Sequence, residues 1–319
     1  FAVSASVRQA NAFGTGKFIS ANVNSGRVNT VYALSYNDPY YTVDGVSQGF
    51  DVYKRETDAS SLSVGPYSTD ALGGGVKFGY PVSETSSVDV GLNLESVKLT
   101  TFANSPQRYI EFTNQFGNQY EYAALTGGWQ HDTRDSAIVT TAGTFTRVGL
   151  EIAGGDLQYY RLGLQHQRFY PLSRRYTLMI RGDLGYADGL NERPVPFFKA
   201  YFAGGPDSVR GYRAFSLGPR DVLGNALGGN TKVTGAAELL FPMPGATAEQ
   251  SLRLAAFVDA GQVYAADAKV DLGELRYAAG IALQWLSPFG PLRLSVAHPL
   301  NRKPGDQVQR LQFTFGTGF

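Results

Sequence analysis

The chain has 319 residues, with 28 Lys and Arg against 27 Asp and Glu, and no cysteine. The near-neutral balance without a basic run argues against nucleic-acid binding, and the lack of cysteine excludes a disulfide scaffold and thiolate metal sites. No apolar run approaches the roughly 20 residues of a transmembrane helix, which excludes a helical membrane protein.

What remains is rich in glycine (38), Tyr (19) and Phe (20), with negative mean hydropathy. That combination suits a β-barrel whose strands alternate lipid-facing and lumen-facing residues. No leader pattern is present at Phe1, so the chain reads as mature or as a fragment.

In chain order, a long connection is expected over Thr57–Thr69 and a short one over Pro81–Thr85. Between Ser87 and Leu94, Val88, Val90, Leu92 and Leu94 oppose Asp89 and Asn93. Phe102–Gln119 reads as a long connection holding a short surface helix. His131 and Asp132 are neighbours on one strand and point to opposite faces, so they form no catalytic pair. After the short connection Pro171–Arg174, Tyr176, Leu178, Ile180, Leu184 and Tyr186 share one face; Arg175, Thr177, Arg181 and Asp183 share the other. A long connection, Gly189–Asn230, precedes two strands, Val233–Phe241 and Leu252–Tyr264, joined by Pro242–Gln250. In the second of these, Leu252, Leu254, Ala256, Val258 and Ala260 oppose Arg253 and Asp259. Ala265–Gly273 and Asn301–Gln307 are long connections, and Ser287–Gly290 is a short one. The final segment, Gln309–Phe319, sets Leu311, Phe313, Phe315 and Phe319 against Arg310, Gln312 and Thr314. A soluble sandwich also alternates, but here opposed charges recur on the polar faces of adjacent strands, as a wet interior requires.

The count is about fifteen strands, and long and short connections alternate as in an up-and-down barrel. Single-chain bacterial barrels have even counts, so about sixteen strands are expected in the intact protein, with the first one missing here. Residues 1–319 are read as one transmembrane antiparallel β-barrel domain.

The long connection carries Gly204-Gly205-Pro206-Asp207-Ser208-Val209-Arg210-Gly211-Tyr212-Arg213. An arginine buried there needs an acidic partner, because removing one member of a buried pair costs about 3–5 kcal/mol. Strand parity points Glu238 and Asp259 inward on the next two strands. From these residues alone, Arg210 reads equally well as a solvated loop arginine. At the end of the chain, Gly316 and Gly318 weaken the last strand, and Phe319 sits as an interfacial aromatic. A weak closing strand leaves an edge able to template another strand. Outer-membrane barrels in general also end this way.

Three scattered histidines give no metal spacing. Gly73-Gly74-Gly75 precedes no helix, which argues against a phosphate loop. No serine has a nucleophile-elbow context. No enzyme, cofactor or metal site is expected.

Four blocks resemble the superfamily of outer-membrane assembly and two-partner secretion barrels. They are Asn37-Asp38-Pro39-Tyr40-Tyr41-Thr42-Val43-Asp44-Gly45-Val46-Ser47; Phe202-Ala203-Gly204-Gly205 leading to Val209-Arg210-Gly211-Tyr212; Phe257-Val258-Asp259-Ala260-Gly261; and Gly280–Leu292 with its Trp285-Leu286-Ser287-Pro288-Phe289-Gly290-Pro291-Leu292 core. The last block together with the Pro39–Ser47 turn resembles the assembly branch more than the secretion branch. The resemblance implies that the loop folds into the barrel and that Arg210 meets Glu238 and Asp259. It also implies a seam between the first and last strands, here Gln312, Thr314, Gly316, Gly318 and Phe319. The implied function is folding and insertion of unfolded β-barrel clients into the bacterial outer membrane, with accessory lipoproteins and the lipid bilayer as partners. The alternative is a two-partner secretion pore that exports an unfolded polypeptide; a passive porin ranks third. Family members carry periplasmic repeats and a first strand ahead of the segment matching Phe1–Gln9, and neither is found in this chain.

Overall fold

A computed structural model of the protein describes residues 3–26, 28–243, 252–287 and 290–316. Among these residues the strands are β1 (Val3–Gln9), β2 (Phe18–Ser25), β3 (Asn29–Asp38), β4 (Ser47–Asp58), β5 (Tyr67–Pro81), β6 (Ser86–Thr101), β7 (Gln119–Asp132), β8 (Gly143–Gly155) and β9 (Tyr159–Pro171). They continue with β10 (Thr177–Gly189), β11 (Gly211–Tyr212), β12 (Thr231–Pro242), β13 (Leu252–Tyr264), β14 (Arg276–Ser287), β15 (Gly290–Pro299), β16 (Val308–Gln309) and β17 (Leu311–Phe315). Fifteen of them form one up-and-down sheet in chain order, matching the number read from the sequence, and β11 pairs separately with β16.

The faces are inverted relative to a soluble sandwich. On β10, Ile180 and Leu184 are each 45% exposed, while Met179 on the other face is 6% exposed. The apolar stripe points outward, as a lipid-facing wall requires. Register carries this across neighbours. Leu254 pairs with Leu283, Leu283 with Leu294 and Leu294 with Phe313, forming one apolar row. The adjacent row runs Arg253, Gln284, Arg293 and Thr314 on the polar face.

The described residues fall into two compact units. The first comprises Phe1–Gln130, Val148–Leu162 and Ala187–Lys199. It contains the helix expected between β6 and β7, here α1 (Gln107–Phe116). The helix starts after Pro106 and stops at Gly117, whose positive φ of 85° suits glycine and whose N–H bonds to the Thr113 carbonyl. It is more embedded than a surface helix: Tyr109 and Phe112 are buried, and Tyr109 stacks on Phe197 with ring centroids 3.7 Å apart. The second unit comprises His131–Arg147, Gly163–Tyr186 and Ala200–Phe319, and holds the long loop from Ala200 onward with β12–β17.

Two expectations change. Gln309–Phe319 is not one strand. Val308 and Gln309 pair with the long loop, the Arg310 carbonyl accepts from the Ala297 N–H on β15, and Leu311–Phe315 pair with β15. The backbone changes partner at Arg310, which is exposed and breaks the expected inward run with Gln312. The alternation of connection lengths is also irregular: β3–β4 and β4–β5 are joined by stretches of equal length, 39–46 and 59–66, and residues 156–158 alone join β8 to β9. Gly318, Phe319 and most of the Pro242–Gln250 turn lie outside the described residues.

Candidate functional site

Arg210, Glu238 and Asp259 come together as expected, and all three are at most 1% exposed. The Arg210 guanidinium donates from Nε to Oδ2 of Asp259 and from Nη2 to Oδ1, each at 2.7 Å. The Arg210 backbone N–H adds a third bond to Oδ2 at 2.9 Å. This is the bidentate geometry for which arginine, not lysine, is suited. Nη2 also lies 2.6 Å from Oε1 of Glu238. Burial opposes the Arg210 charge, but Asp259 and Glu238 outweigh it and hold the group more basic than usual.

Sequence reasoning found one cation for two carboxylates, which leaves a buried net negative charge. The structure supplies the second cation: Arg293 Nη2 lies 4.0 Å from Oε2 of Glu238, and Arg293 is itself buried. Two guanidinium groups and two carboxylates then balance. Gln284 Nε2 donates to Oε2 of Glu238 at 3.4 Å. Phe257 provides a floor, with Arg210 Cζ 3.4 Å from its ring centroid, a cation–π contact. Parity could have placed Phe257, two residues before Asp259. Arg293 and Gln284 needed the register of β14 and β15.

The loop chemistry explains how Arg210 reaches its partners. Gly211 has φ of 87°, and a Cβ there would stand 3.1 Å from Ala297 Cβ and 3.4 Å from Ala278 Cβ. Glycine therefore meets two demands at once, a left-handed backbone and close approach to the wall. On either side of Arg210 and Gly211, Val209 and Tyr212 are fully buried and pack with Ala203, Leu217, Val263 and Ala278. Val209, Arg210, Gly211 and Tyr212 are thus all buried.

The seam residues divide. Gln312 is buried, and Thr314 pairs with Arg293 on β15. Gly316 follows the end of β17 with φ of 104°. Gly318 and Phe319 lie outside the described residues.

A second buried polar cluster, in the first unit, was not foreseen. Glu95 on β6 accepts from Tyr122 Oη, from Tyr53 Oη at 2.5 Å and from Arg55 Nη2 at 2.9 Å. Lys199 Nζ lies 3.7 Å from it. Burial pushes the Lys199 ammonium below its ordinary value, and Glu95 opposes that shift. Tyr53 reaches Glu95 across Gly73, where a Cβ would stand 2.7 Å from the Tyr53 ring. The glycine run thus makes room for a crossing side chain. Among the described residues no group of metal-ligating side chains occurs.

An up-and-down sheet with an apolar outer face, and a long loop whose arginine is sealed against two strand carboxylates, place the chain in the class of outer-membrane β-barrel proteins. Residues 11–319 match the Omp85 superfamily domain, and the chain belongs to that superfamily. Over 99% of its length it is 38% identical to the outer membrane protein assembly factor BamA of Neisseria meningitidis, covering 45% of that protein. The crystal structure of BamA from Haemophilus ducreyi lacking POTRA domains 1–3 superposes with a TM-score of 0.91 at 28% identity, over 98% of this chain and 66% of that one. CdiB from Acinetobacter baumannii shares the fold, with a TM-score of 0.62 at 14% identity. The chain therefore spans less than half the length of the curated relative it matches.

Proposed function

We propose that this protein folds β-barrel proteins and inserts them into the bacterial outer membrane. The observation that carries the reading is the sealed Arg210–Asp259–Glu238 anchor, in a chain 38% identical to a protein named as an outer-membrane assembly factor. The likeness to CdiB is one of fold, so a secretion pore has less support than an assembly role.

The mechanism makes and breaks no covalent bond. In hydrocarbon each unsatisfied backbone group costs several kcal/mol, which opposes insertion of a strand alone. A seam between the first and last strands offers backbone donors and acceptors to a client strand, which adds by edge pairing. A new sheet then grows from that edge. The anchored loop braces the wall while the seam works. Unfolded barrel clients, accessory lipoproteins and the bilayer are the partners of this reading.

The test uses the full-length protein in proteoliposomes, with one cysteine at Thr314 and one on the first barrel strand. Client insertion is read as a heat-modifiable gel shift. Oxidation should stop insertion and reduction should restore it. Unchanged insertion under a near-complete crosslink, or polypeptide export in place of insertion, would refute the reading.

A further inference from the structure

The long loop and the closing strand, separate in the sequence, are joined in the structure. Gly211 pairs with Gln309 and Tyr212 with Val308. The Arg213 N–H donates to the Gln307 carbonyl at 2.9 Å. Gln312, on β17 and 3% exposed, donates from Nε2 to the Tyr212 carbonyl at 2.7 Å. Further along the loop, Arg220 Nη2 lies 3.3 Å from Oδ1 of Asp306. Asp306 also accepts from Arg276 Nε on β14 at 2.6 Å and from the Lys303 N–H at 2.8 Å. Asp306, Gln307, Val308, Gln309 and Gln312 thus all reach the same loop, and Asp306 also ties it to the wall.

A two-residue ribbon has little stability of its own. Its loop strand, β11, begins at the residue after Arg210, whose backbone and guanidinium are both held by Asp259. Seating Arg210 therefore fixes where Gly211 and Tyr212 lie, and these two residues hold the lead-in to β17. Gln312 belongs to both structures, since its backbone pairs with Ser295 in the sheet and its side chain binds the loop.

The geometry points to the Arg210 loop as a clamp on the closing strand, with Gln312 as the positioning residue that couples them. The functional consequence rests on the insertion reading: the strand offered to a client is aligned only while the loop is seated. Coupling of this kind is reciprocal, so loosening either end loosens the other.

The test is hydrogen–deuterium exchange on the folded full-length protein in lipid nanodiscs, without client. Gln312→Met should raise exchange of the 209–213 amides about fivefold, the ratio for one net hydrogen bond lost. Arg210→Lys should raise exchange of the 308–313 amides by at least as much. The double variant should exceed the larger single effect little, as expected for one coupled unit. Leu311→Ala, whose side chain faces away on the same strand, should leave 209–213 unchanged. If Gln312→Met does not fold, Gln312→Glu removes the same donor at the same size. Wild-type exchange at 308–313 in Arg210→Lys, or additive effects in the double variant, would overturn the clamp. Insertion assays on the same variants separate the two readings. Coupled exchange with wild-type insertion by Gln312→Met would remove its positioning role. No insertion by the unaltered protein would sink the functional reading and leave the clamp standing.

Discussion

Asp259→Asn is the most discriminating perturbation of the buried anchor. Asp259 accepts three hydrogen bonds from Arg210: from Nε and Nη2 at 2.7 Å each, and from the backbone N–H at 2.9 Å. An asparagine turned to keep the Nε and backbone bonds sets its NH₂ against Nη2, donor against donor. One charge-assisted bond is lost outright, about 1.5–3 kcal/mol, and the two survivors lose their ionic character. The total should fall within the roughly 3–5 kcal/mol typical of breaking a buried pair. Glu238→Gln disturbs one short contact to Arg210 and the longer one to Arg293, and leaves the bidentate pair intact. It should cost about 1.5–3 kcal/mol, so Asp259→Asn is expected to be the worse of the two. The assay is guanidinium unfolding of the folded protein in micelles, followed by the fluorescence of Trp129 and Trp285, with limited proteolysis of residues 204–220 alongside. If Glu238→Gln costs as much as Asp259→Asn, or if both cost under about 0.5 kcal/mol as surface pairs do, the account of the anchor is wrong.

Leu254→Arg should impair folding into bilayers by roughly 2–4 kcal/mol, the cost of arginine facing lipid at the midplane. Arg253→Leu loses a bond to the Thr140 carbonyl and should fold better than Leu254→Arg; the reverse order in a lipid-refolding assay would overturn the assignment of faces. Gly211→Ala should destabilise by about 1–2 kcal/mol, because alanine must adopt a left-handed backbone while crowding Ala297; a wild-type melting temperature would count against the loop geometry. Gly73→Val should push the Tyr53 ring off Glu95 and lower the temperature at which the folded band disappears on gels. Tyr53→Ala should remove that sensitivity if the crossing is its cause. Lys199→Met should make residues 190–200 more open to protease, and an unchanged cleavage pattern would show that the Glu95 contact does not hold that segment.

Much of the wall was legible because lipid and water impose opposite demands on alternate residues. Ile180 and Leu184 must face out if Arg181 and Asp183 face in, and a period of two is visible in any window. Parity made Glu238 and Asp259 legible as inward carboxylates, but the residues alone left Arg210 equally readable as solvated, and its meeting with them was implied by the resemblance of the Arg-Gly-Tyr block. Arg293 escaped because its approach to Glu238 depends on the registers of three strand pairs that no local pattern encodes. The Tyr53–Gly73–Glu95 crossing escaped for the same reason, since the glycine run shows no side chain from which a crossing could be read. The β11–β16 ribbon has two residues per side, too few to show any period. Lys199 stands alone among Pro194, Pro196, Phe197 and Phe198, where nothing local distinguishes a sealed lysine from a solvated one.

The sealing of the anchor bears on the medium in which it works. Mobile ions weaken exposed charge pairs beyond about a Debye length, roughly 8 Å at physiological ionic strength. They act far less on charges they cannot approach, and Arg210, Glu238 and Asp259 are each at most 1% exposed. The hold on the loop is therefore set by the protein and not by the salinity outside the cell. Dilution or brine should therefore leave the loop seated.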